Sequence, residues 1–381
     1  MKHLSPLLAC LLAAGLALSA CGTSPSSSPS QSEASSSAPS SSSSQQSQAS
    51  APFAITQQKV VEQLPSNTDE YGEFLSKGSP AFVIPALKEG YVPQGMCLLP
   101  SEQKLVISYY AGEKGENSIL CLVDIASGQL EKSVRLLNED GSVYTGHAGG
   151  LAATEKNLWA ATSGNCQRLP IEELMAAADG DTVQFVDHFV TGTRASFANA
   201  VDGVLWVGDF YYGGGGYDTD KSHHMTTPDG SKNRAWAVGF QLDPSTENEL
   251  KAESFANQST TVIPDYVLSI PHKIQGMTRL SDGTIVLSES YGRKNASHLL
   301  LHQDVLAQQP HTTVTIRDTE VPLWYLDSNT LTRSITMPPM SEAVESAGDG
   351  VYLLFESGAA SYVSDAVDPV DHVYHLSGLV E

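Results

Sequence analysis

The chain has 381 residues, of which 41% are hydrophobic, so it is long enough to bury a sizeable core. Its 43 acidic and 21 basic side chains give a formal net charge of −22 at pH 7. Such a surface repels nucleic acid and anionic lipid headgroups, which excludes a nucleic-acid-binding protein. A plain acidic secreted surface is the simplest interpretation, and a cationic partner or bound divalent cations are the alternatives.

The first twenty residues have the layout of a secretory signal peptide. A short basic start at Lys2 precedes an apolar run from Leu7 to Leu18, and small residues follow that run. The apolar run is too short to span a bilayer as a mature helix. We therefore expect residues 1–20 to be absent from the mature protein.

The tetrapeptide Leu18-Ser19-Ala20-Cys21 resembles the lipobox of bacterial lipoproteins. The resemblance implies cleavage before Cys21 and diacylation of its sulfur, which would anchor the chain to the bacterial cell membrane on the extracytoplasmic side. An ordinary signal peptide, cut nearby without a lipid, is the alternative. The segment that follows, to residue 51, is mostly serine and offers nothing apolar to bury, so we expect a disordered tether with a reach on the order of 30 Å.

Cysteine usage does not indicate a disulfide scaffold. Cys10 leaves with the signal peptide and Cys21 is the lipidation site, so only Cys97, Cys121 and Cys166 remain. Cys97 and Cys121 lie in apolar, strand-like segments and are most simply small buried hydrophobic residues.

Residues 52–381 carry the fold, and most of this region shows no helical periodicity. The segment Pro170–Ala178 is the one predicted helix, with proline at its first position. The remainder is predicted to form short strands between turns, a composition typical of folds built from internal repeats.

A strand, an Asp-Gly turn and a second strand recur along the folded part. The clearest copies begin at Gln275 and Glu342 and align without a gap, and a third runs from Ser196 to Asp209. Two weaker copies begin at Gly95 and Gly149. Further strands follow the copies, with candidate third strands at Ile119–Asp124, Trp236–Asp243, Leu323–Asp327 and His372–Leu376.

Four antiparallel strands per repeat, in units of roughly 45–80 residues, indicate an all-β fold of the β-propeller class. The last repeat lacks its outer strand, while an unmatched strand of that type, Ala81–Pro85, stands near the start of the fold. We expect this N-terminal strand to complete the last blade, giving five blades. A six-bladed ring is the alternative if residues 53–77 or the long third unit contain another blade, and a β-sandwich is the competing fold.

The repeat alignment also places five side chains at one position, at the end of the second strand of each blade. They are Tyr109, Thr162, Asp209, Glu289 and Glu356. Symmetry predicts that they form a ring on one face of the propeller. Converging carboxylates repel one another unless a cation lies between them, and their hard oxygen atoms suit Ca²⁺. The sequence therefore predicts a calcium site formed by Asp209, Glu289 and Glu356. The alternative is that these carboxylates point to solvent or accept from backbone amides at strand ends.

The Gln-Gly-Met phrase at Gln94 and Gln275, the Asp-Gly turn and the acidic residue after the second strand resemble calcium-dependent propellers of the gluconolactonase and regucalcin type, or the NHL-repeat type. The first resemblance implies a cation at the channel mouth that polarises a lactone or ester carbonyl. Asn and Asp ligands expected from the later blades of that family do not appear at matching positions.

Other candidate site residues lie near the predicted channel mouth. His147, beside two glycines, is a candidate general base, with a hydrogen-bonded turn residue as the alternative. Tyr211 and Tyr212 adjoin a glycine-rich insertion, residues 213–233, and could stack on a ligand. Gln94, Gln275, Tyr109 and Thr162 are further candidate ligand-binding residues.

These observations favour a monomeric, lipid-anchored propeller that binds a small molecule, glycan or protein outside the cytoplasm. A metal-dependent lactonase or esterase is the second reading, and an envelope assembly scaffold is the third.

Overall fold

Short antiparallel strands account for most of the fold. The computed structural model describes residues 53–380 apart from Glu102 and Gly215. The predicted signal peptide, Cys21 and the tether lie outside the described residues. No helix in the described part of the chain is long and apolar enough to cross a membrane.

The described residues contain two α-helices, α1 (Thr68–Lys77) and α2 (Ile171–Ala176). The strands of the first half are β1 (Gly78–Val83), β2 (Tyr91–Leu98), β3 (Lys104–Ala111), β4 (Ile119–Asp124), β5 (Gln129–Leu137), β6 (Gly150–Ala153), β7 (Asn157–Thr162), β8 (Asn165–Pro170), β9 (Thr182–Gln184), β10 (Asp187–Val190), β11 (Phe197–Val201) and β12 (Val204–Gly208). Those of the second half are β13 (Met225–Thr226), β14 (Lys232–Asn233), β15 (Ala235–Gln241), β16 (Tyr266–Ile270), β17 (Ile274–Arg279), β18 (Ile285–Glu289), β19 (Ser297–His302), β20 (Thr312–Ile316), β21 (Thr319–Tyr325), β22 (Leu331–Met337), β23 (Ser341–Ala347), β24 (Gly350–Phe355) and β25 (His372–Leu376).

The sheets form the five blades of a β-propeller. From the inside outward the blades are β2-β3-β4-β5, β6-β7-β8-β10, β11-β12-β15-β16, β17-β18-β19-β22 and β23-β24-β25-β1. The first strands of successive blades pack side by side around the central channel. Apolar side chains fill the spaces between blades, including the buried free thiols of Cys97, Cys121 and Cys166. The predicted all-β propeller with five blades is confirmed.

The N-terminal strand closes the ring. Strand β1 pairs antiparallel with β25, with Phe82 opposite Val373 and Val83 opposite His372. The predicted completion of the last blade from the N-terminal side is therefore confirmed. Between residue 53 and β1 the described chain contains α1 and no strand, so this segment adds no sixth blade.

Helix α1 was not predicted from the sequence. Its Tyr71 and Phe74 are buried against blade 5, where Phe74 contacts the rings of Phe355 and Tyr374. Two apolar side chains on one face of ten residues are too few to distinguish a short helix from a loop.

The segment before α1 connects blade 5 to blade 1 through hydrogen bonds. The side-chain amide of Gln57 donates to the backbone carbonyls of Val83, in β1, and Gly128, before β5, at 2.7 and 2.8 Å. Its carbonyl oxygen accepts from the backbone N–H of Leu130 at 2.7 Å. One side chain thus joins the outer strands of two blades that are far apart in sequence.

One strand assignment from the sequence was wrong. The third strand of blade 4 is β19, not Leu323–Asp327. Residues 312–325 form a hairpin, β20–β21, whose second strand pairs in parallel with β16 of blade 3. The hairpin has the same alternating apolar pattern as a blade strand, and only its tertiary pairing reveals that it is an insertion.

Candidate functional site

One end of the channel opens into a cavity of about 410 Å³. Its wall comes from the starts of the first strands and the ends of the second strands, which antiparallel pairing brings to the same face of every blade. The volume lies within the range of about 300–1,000 Å³ that is usual for small-molecule sites. The residues that line it include Gln94, Tyr110, His147, Arg194, Phe210, Tyr217, Gln275, Tyr291, Glu342, Glu356 and Tyr362.

Two glutamates from blade 5 form the floor of this cavity. Glu342, in β23, is 3% exposed, and Glu356 follows β24 directly. Their carboxyl groups are close enough to share a hydrogen bond when one of them is protonated. Gln275 donates its side-chain amide to Glu342 Oε1 at 2.8 Å, and Gln94 donates to Glu356 Oε2 at 3.2 Å. Two acids and two carboxamides from three blades therefore meet at one point.

The surroundings of both acids favour the protonated form. Burial raises the pKa of Glu342 well above its usual range, and the adjacent Glu356 carboxylate raises it further. Burial also raises the pKa of Glu356 to about 7, although its hydrogen bonds to Glu342 and Gln94 act in the opposite direction. The two carboxyl groups therefore titrate as a coupled pair that can donate or accept a proton inside the cavity.

Aromatic rings form much of the wall. The hydroxyl groups of Tyr110 and Tyr362 are 2.6 Å apart, which links blade 1 to the loop after β24. Phe210 packs edge-on against Tyr217, and its ring centroid lies 6.3 Å from that of Tyr291. A ligand in this cavity would contact several aromatic surfaces above an acidic floor.

The predicted general base, His147, does lie on the cavity wall. Its ring packs against that of Tyr110 at a tilt of 38°, with centroids 4.4 Å apart. Desolvation by the surrounding wall lowers the pKa of His147 below its usual value, so the imidazole is neutral at pH 7. A neutral imidazole can accept a proton or a hydrogen bond from a ligand.

The predicted ring of side chains is only partly brought together. Thr162 and Glu356 line the cavity, whereas Tyr109, Asp209 and Glu289 do not. Tyr109 is fully buried between blades and Glu289 is partly exposed elsewhere. In these three blades the wall residue is the next one along the chain: Tyr110, Phe210 and Ser290. Since successive strand residues point to opposite faces, a displacement of one residue changes which side chain enters the cavity.

The displacement is explained in part by the turn of blade 5. In blade 3 the turn is Asp202-Gly203, as predicted, because Val201 pairs with Val204. In blade 5 Ala347 pairs with Gly350, so the turn residues are Gly348-Asp349, and Gly350 already belongs to β24. A sequence alignment on the Asp-Gly pair therefore matches residues of the two blades that are one position apart in the structure.

Asp209 stabilises the fold of blade 3 and does not line the cavity. Its carboxylate is fully buried and accepts from the backbone N–H groups of Arg194 and Trp236 at 2.7 and 3.0 Å. His223 Nδ1 lies 2.7 Å from Oδ2, the oxygen that also accepts from Trp236, and the His223 ring stacks on Trp236. Asp209 thus anchors the insertion between β12 and β15 to blade 3.

The described residues include no group of three or more His, Cys, Asp or Glu side chains that could hold a metal ion. The predicted convergence of Asp209, Glu289 and Glu356 is therefore not present there. Glu356 lies in the cavity, but its acidic neighbour is Glu342. Calcium binding itself stays a prediction.

The remaining candidate ligand residues fall into two groups. Gln94 and Gln275 belong to the cavity floor. Tyr211 is buried, and its hydroxyl group accepts from Arg234. Tyr212 is exposed and stacks on Tyr291 with ring centroids 3.7 Å apart, so it supports the wall from outside.

Glu342 is the main site residue that the sequence did not single out. A signal for it was present, because Glu342 occupies the repeat position of Gln275, and Gln94 begins the matching phrase in blade 1. Side chains at one repeat position converge around a propeller axis. The aromatic wall residues Tyr110, Tyr291 and Tyr362 lie in or beside loops of unequal length, so no comparable pattern identifies them.

Deeper in the channel lies a second polar pair, which the sequence also did not indicate. Glu345 is 7% exposed and accepts from the side-chain amide of Asn199 at 2.6 Å, across the channel from blade 3. Burial raises the pKa of Glu345 to about 8. Its carboxyl group is therefore largely protonated at pH 7.

No protein-family model and no curated protein matches this sequence. Among solved structures, the PQQ-bound aldose sugar dehydrogenase of Streptomyces coelicolor is similar at 12% identity and a TM-score of 0.40, over 79% of this chain and 97% of that chain. Glutaminyl cyclase of Myxococcus xanthus is similar at 11% identity and a TM-score of 0.33, over 73% and 91%. The Dos1 propeller is similar at 9% identity and a TM-score of 0.29, over 70% and 56%. Identities this low carry no information about substrate or cofactor.

Proposed function

We propose that this protein is a lipoprotein of the bacterial cell membrane whose β-propeller binds a small organic molecule on the extracytoplasmic side. The observation that supports binding is the cavity at the channel mouth, where aromatic walls surround the adjacent acids Glu342 and Glu356. Concave, partly apolar sites with a few convergent polar groups are typical of ligand-binding pockets.

The anchoring half of the proposal depends on the lipobox-like sequence at Cys21. Bacterial cells that express the full chain should incorporate labelled palmitate into it, and the Cys21→Ser variant should remain unlabelled. Labelling that is equal in the two forms would contradict lipidation at this residue.

The binding half can be tested by thermal unfolding of the purified protein against a library of sugars, amines, amino acids and organic acids. A ligand that binds only the native state raises the melting temperature, and the rise grows with the logarithm of the ligand concentration above the Kd. A true cavity ligand should lose its effect in Glu342→Gln and keep it in Glu289→Gln, since Glu289 lies off the cavity wall. A library without any such compound would count against small-molecule binding.

The acid pair also supports a second candidate function, general acid–base catalysis on the bound molecule. Glu342 and Glu356 can hold and release one proton, and the neutral imidazole of His147 lies on the same cavity wall. Any ligand found in the binding screen should therefore be incubated with the protein and followed by mass spectrometry. Turnover that is lost in Glu356→Gln would favour the enzyme, whereas binding with an unchanged ligand would favour the binding module.

A further inference from the structure

The acids of the cavity floor have only neutral hydrogen-bond partners within the described part of the chain. Each accepts from a carboxamide, and neither forms an ion pair with a Lys, Arg or His side chain there. Arg194, on the exposed part of the wall, donates to the backbone carbonyl of Asp218 at 3.1 Å. Arg293 pairs with Asp365 at 3.0 Å. The Arg293 guanidinium also lies over the Tyr362 ring, and its charge lowers the pKa of Glu356. Among the described residues, however, no cationic side chain forms an ion pair with either acid of the floor.

The floor also presents an acceptor that the protein leaves unused. The Gln94 side chain is 8% exposed and lines the cavity, and its amide nitrogen donates to Glu356 and to the backbone carbonyl of Pro93. No described residue donates to its carbonyl oxygen. Gln94 Oε1, Glu342 and Glu356 together offer three acceptors to a ligand. A primary ammonium group carries three N–H donors and no acceptor, which matches this set.

The wall above the floor suits a cation as well. The rings of Tyr110, Phe210, Tyr217, Tyr291 and Tyr362 line the cavity. Aromatic faces attract cations through the ring quadrupole, most strongly where water is excluded. A neutral sugar could stack on the same rings but would leave the charge of the floor uncompensated, and an anion would be repelled by it.

We propose that the cavity binds a primary organic ammonium ligand, with its nitrogen on the floor formed by Glu342, Glu356 and Gln94 and its carbon skeleton against the tyrosine wall. This inference rests on the proposed small-molecule function and specifies the chemical class of the ligand. The ammonium group supplies the positive charge that the acid pair lacks, and its apolar part covers the rings.

The test compares two ligands of nearly equal shape on the purified full-length protein by isothermal titration calorimetry at pH 7.5. The probes are 2-phenylethylamine and its neutral counterpart 2-phenylethanol, with glucose and calcium chloride as further probes. We expect the amine to bind at least about tenfold more tightly than the alcohol, because only the amine makes charge-assisted hydrogen bonds and cation–π contacts. The double variant Glu342→Gln/Glu356→Gln removes both acids of the floor and should weaken amine binding by about tenfold or more, while Glu289→Gln should change it less than about twofold.

The outcomes separate this inference from the broader proposal. Equal or tighter binding of the alcohol or glucose, lost in Glu342→Gln, would overturn the ammonium assignment and leave small-molecule binding in place. Calcium binding that depends on Glu342 would also overturn it, in favour of a metal. If none of the probes binds, the ammonium assignment is overturned, and the library screen then decides the broader proposal. Glu356→Gln is a second single variant of the floor. An unfolding curve for each variant shows whether lost binding results from misfolding.

Discussion

The side-chain amide nitrogen of Gln275 lies 2.8 Å from a carboxyl oxygen of Glu342. The two residues occupy the same repeat position in blades 4 and 5, so the propeller symmetry itself brings them together at the channel mouth. At this one repeat position, blade 4 supplies a neutral hydrogen-bond donor, the Gln275 carboxamide. Blade 5 supplies a titratable acceptor, the Glu342 carboxyl group.

Glu356→Gln should lower the pKa of Glu342. Burial is the largest cause of the raised pKa and remains in the variant, but the charge of Glu356 and its hydrogen bond, which both raise the pKa, are removed or weakened. The pKa of Glu342 should therefore fall and still stay above the usual value for glutamate. A carbon-13 NMR titration of the side-chain carboxyl groups measures this directly, and an unchanged Glu342 titration would show that the two acids are not coupled.

Glu345→Gln should stabilise the protein at pH 8 and have little effect at pH 5. Burial raises the pKa of Glu345 to about 8, so the folded state holds this proton more tightly than the unfolded chain, whose glutamates titrate near about 4.3. The free energy of unfolding therefore falls as pH rises from about 4 to 8.

Glutamine resembles the protonated acid at all pH values, so we expect a gain on the order of 1–3 kcal/mol at pH 8 from Glu345→Gln. Urea unfolding at the two pH values measures it. Glu289→Gln, the same substitution on a partly exposed side chain, is the matched control and should give no comparable gain. A loss of stability at pH 8 would show that the channel requires the ionised form of Glu345.

Gln57→Ala should weaken ring closure. The substitution removes three hydrogen bonds, to Val83, Gly128 and Leu130, that connect blades 5 and 1. We expect a loss on the order of 1–3 kcal/mol in the free energy of unfolding. Gln58→Ala is the control, because Gln58 is exposed and its side chain accepts a hydrogen bond from Lys88, in a neighbouring loop, rather than joining two blades. Equal effects of the two variants would rule out a special role for Gln57.

Asp209→Asn should lower the melting temperature by the same amount in EDTA and in millimolar Ca²⁺. The carboxylate accepts from the backbone of Arg194 and Trp236 and pairs with His223, so its removal disturbs the insertion rather than a cation site. The expected loss is on the order of 1–3 kcal/mol. Asp282→Asn, in an exposed turn, serves as the control. A wild-type stabilisation by Ca²⁺ that vanishes in Asp209→Asn would restore the calcium site predicted from the sequence.

Much of the architecture follows from the sequence alone. The repeated strand-turn-strand phrase, the missing outer strand of the last repeat and the unmatched strand at Phe82 and Val83 were sufficient to predict five blades and their closure. These features are local or periodic, and hydrophobic alternation together with turn chemistry encodes them directly.

The cavity depended on the tertiary structure. The turn of blade 5 lies one residue earlier, relative to its Asp-Gly pair, than the turn of blade 3. This difference helps to make Phe210, rather than Asp209, the residue that corresponds to Glu356 on the cavity wall. The close approach of Glu342 and Glu356 needs the backbone geometry of β23 and β24, and the raised pKa values need the burial that packing creates. Local pattern determines which strands form, but the pairing register and the burial of each side chain arise only when all five blades pack around one axis.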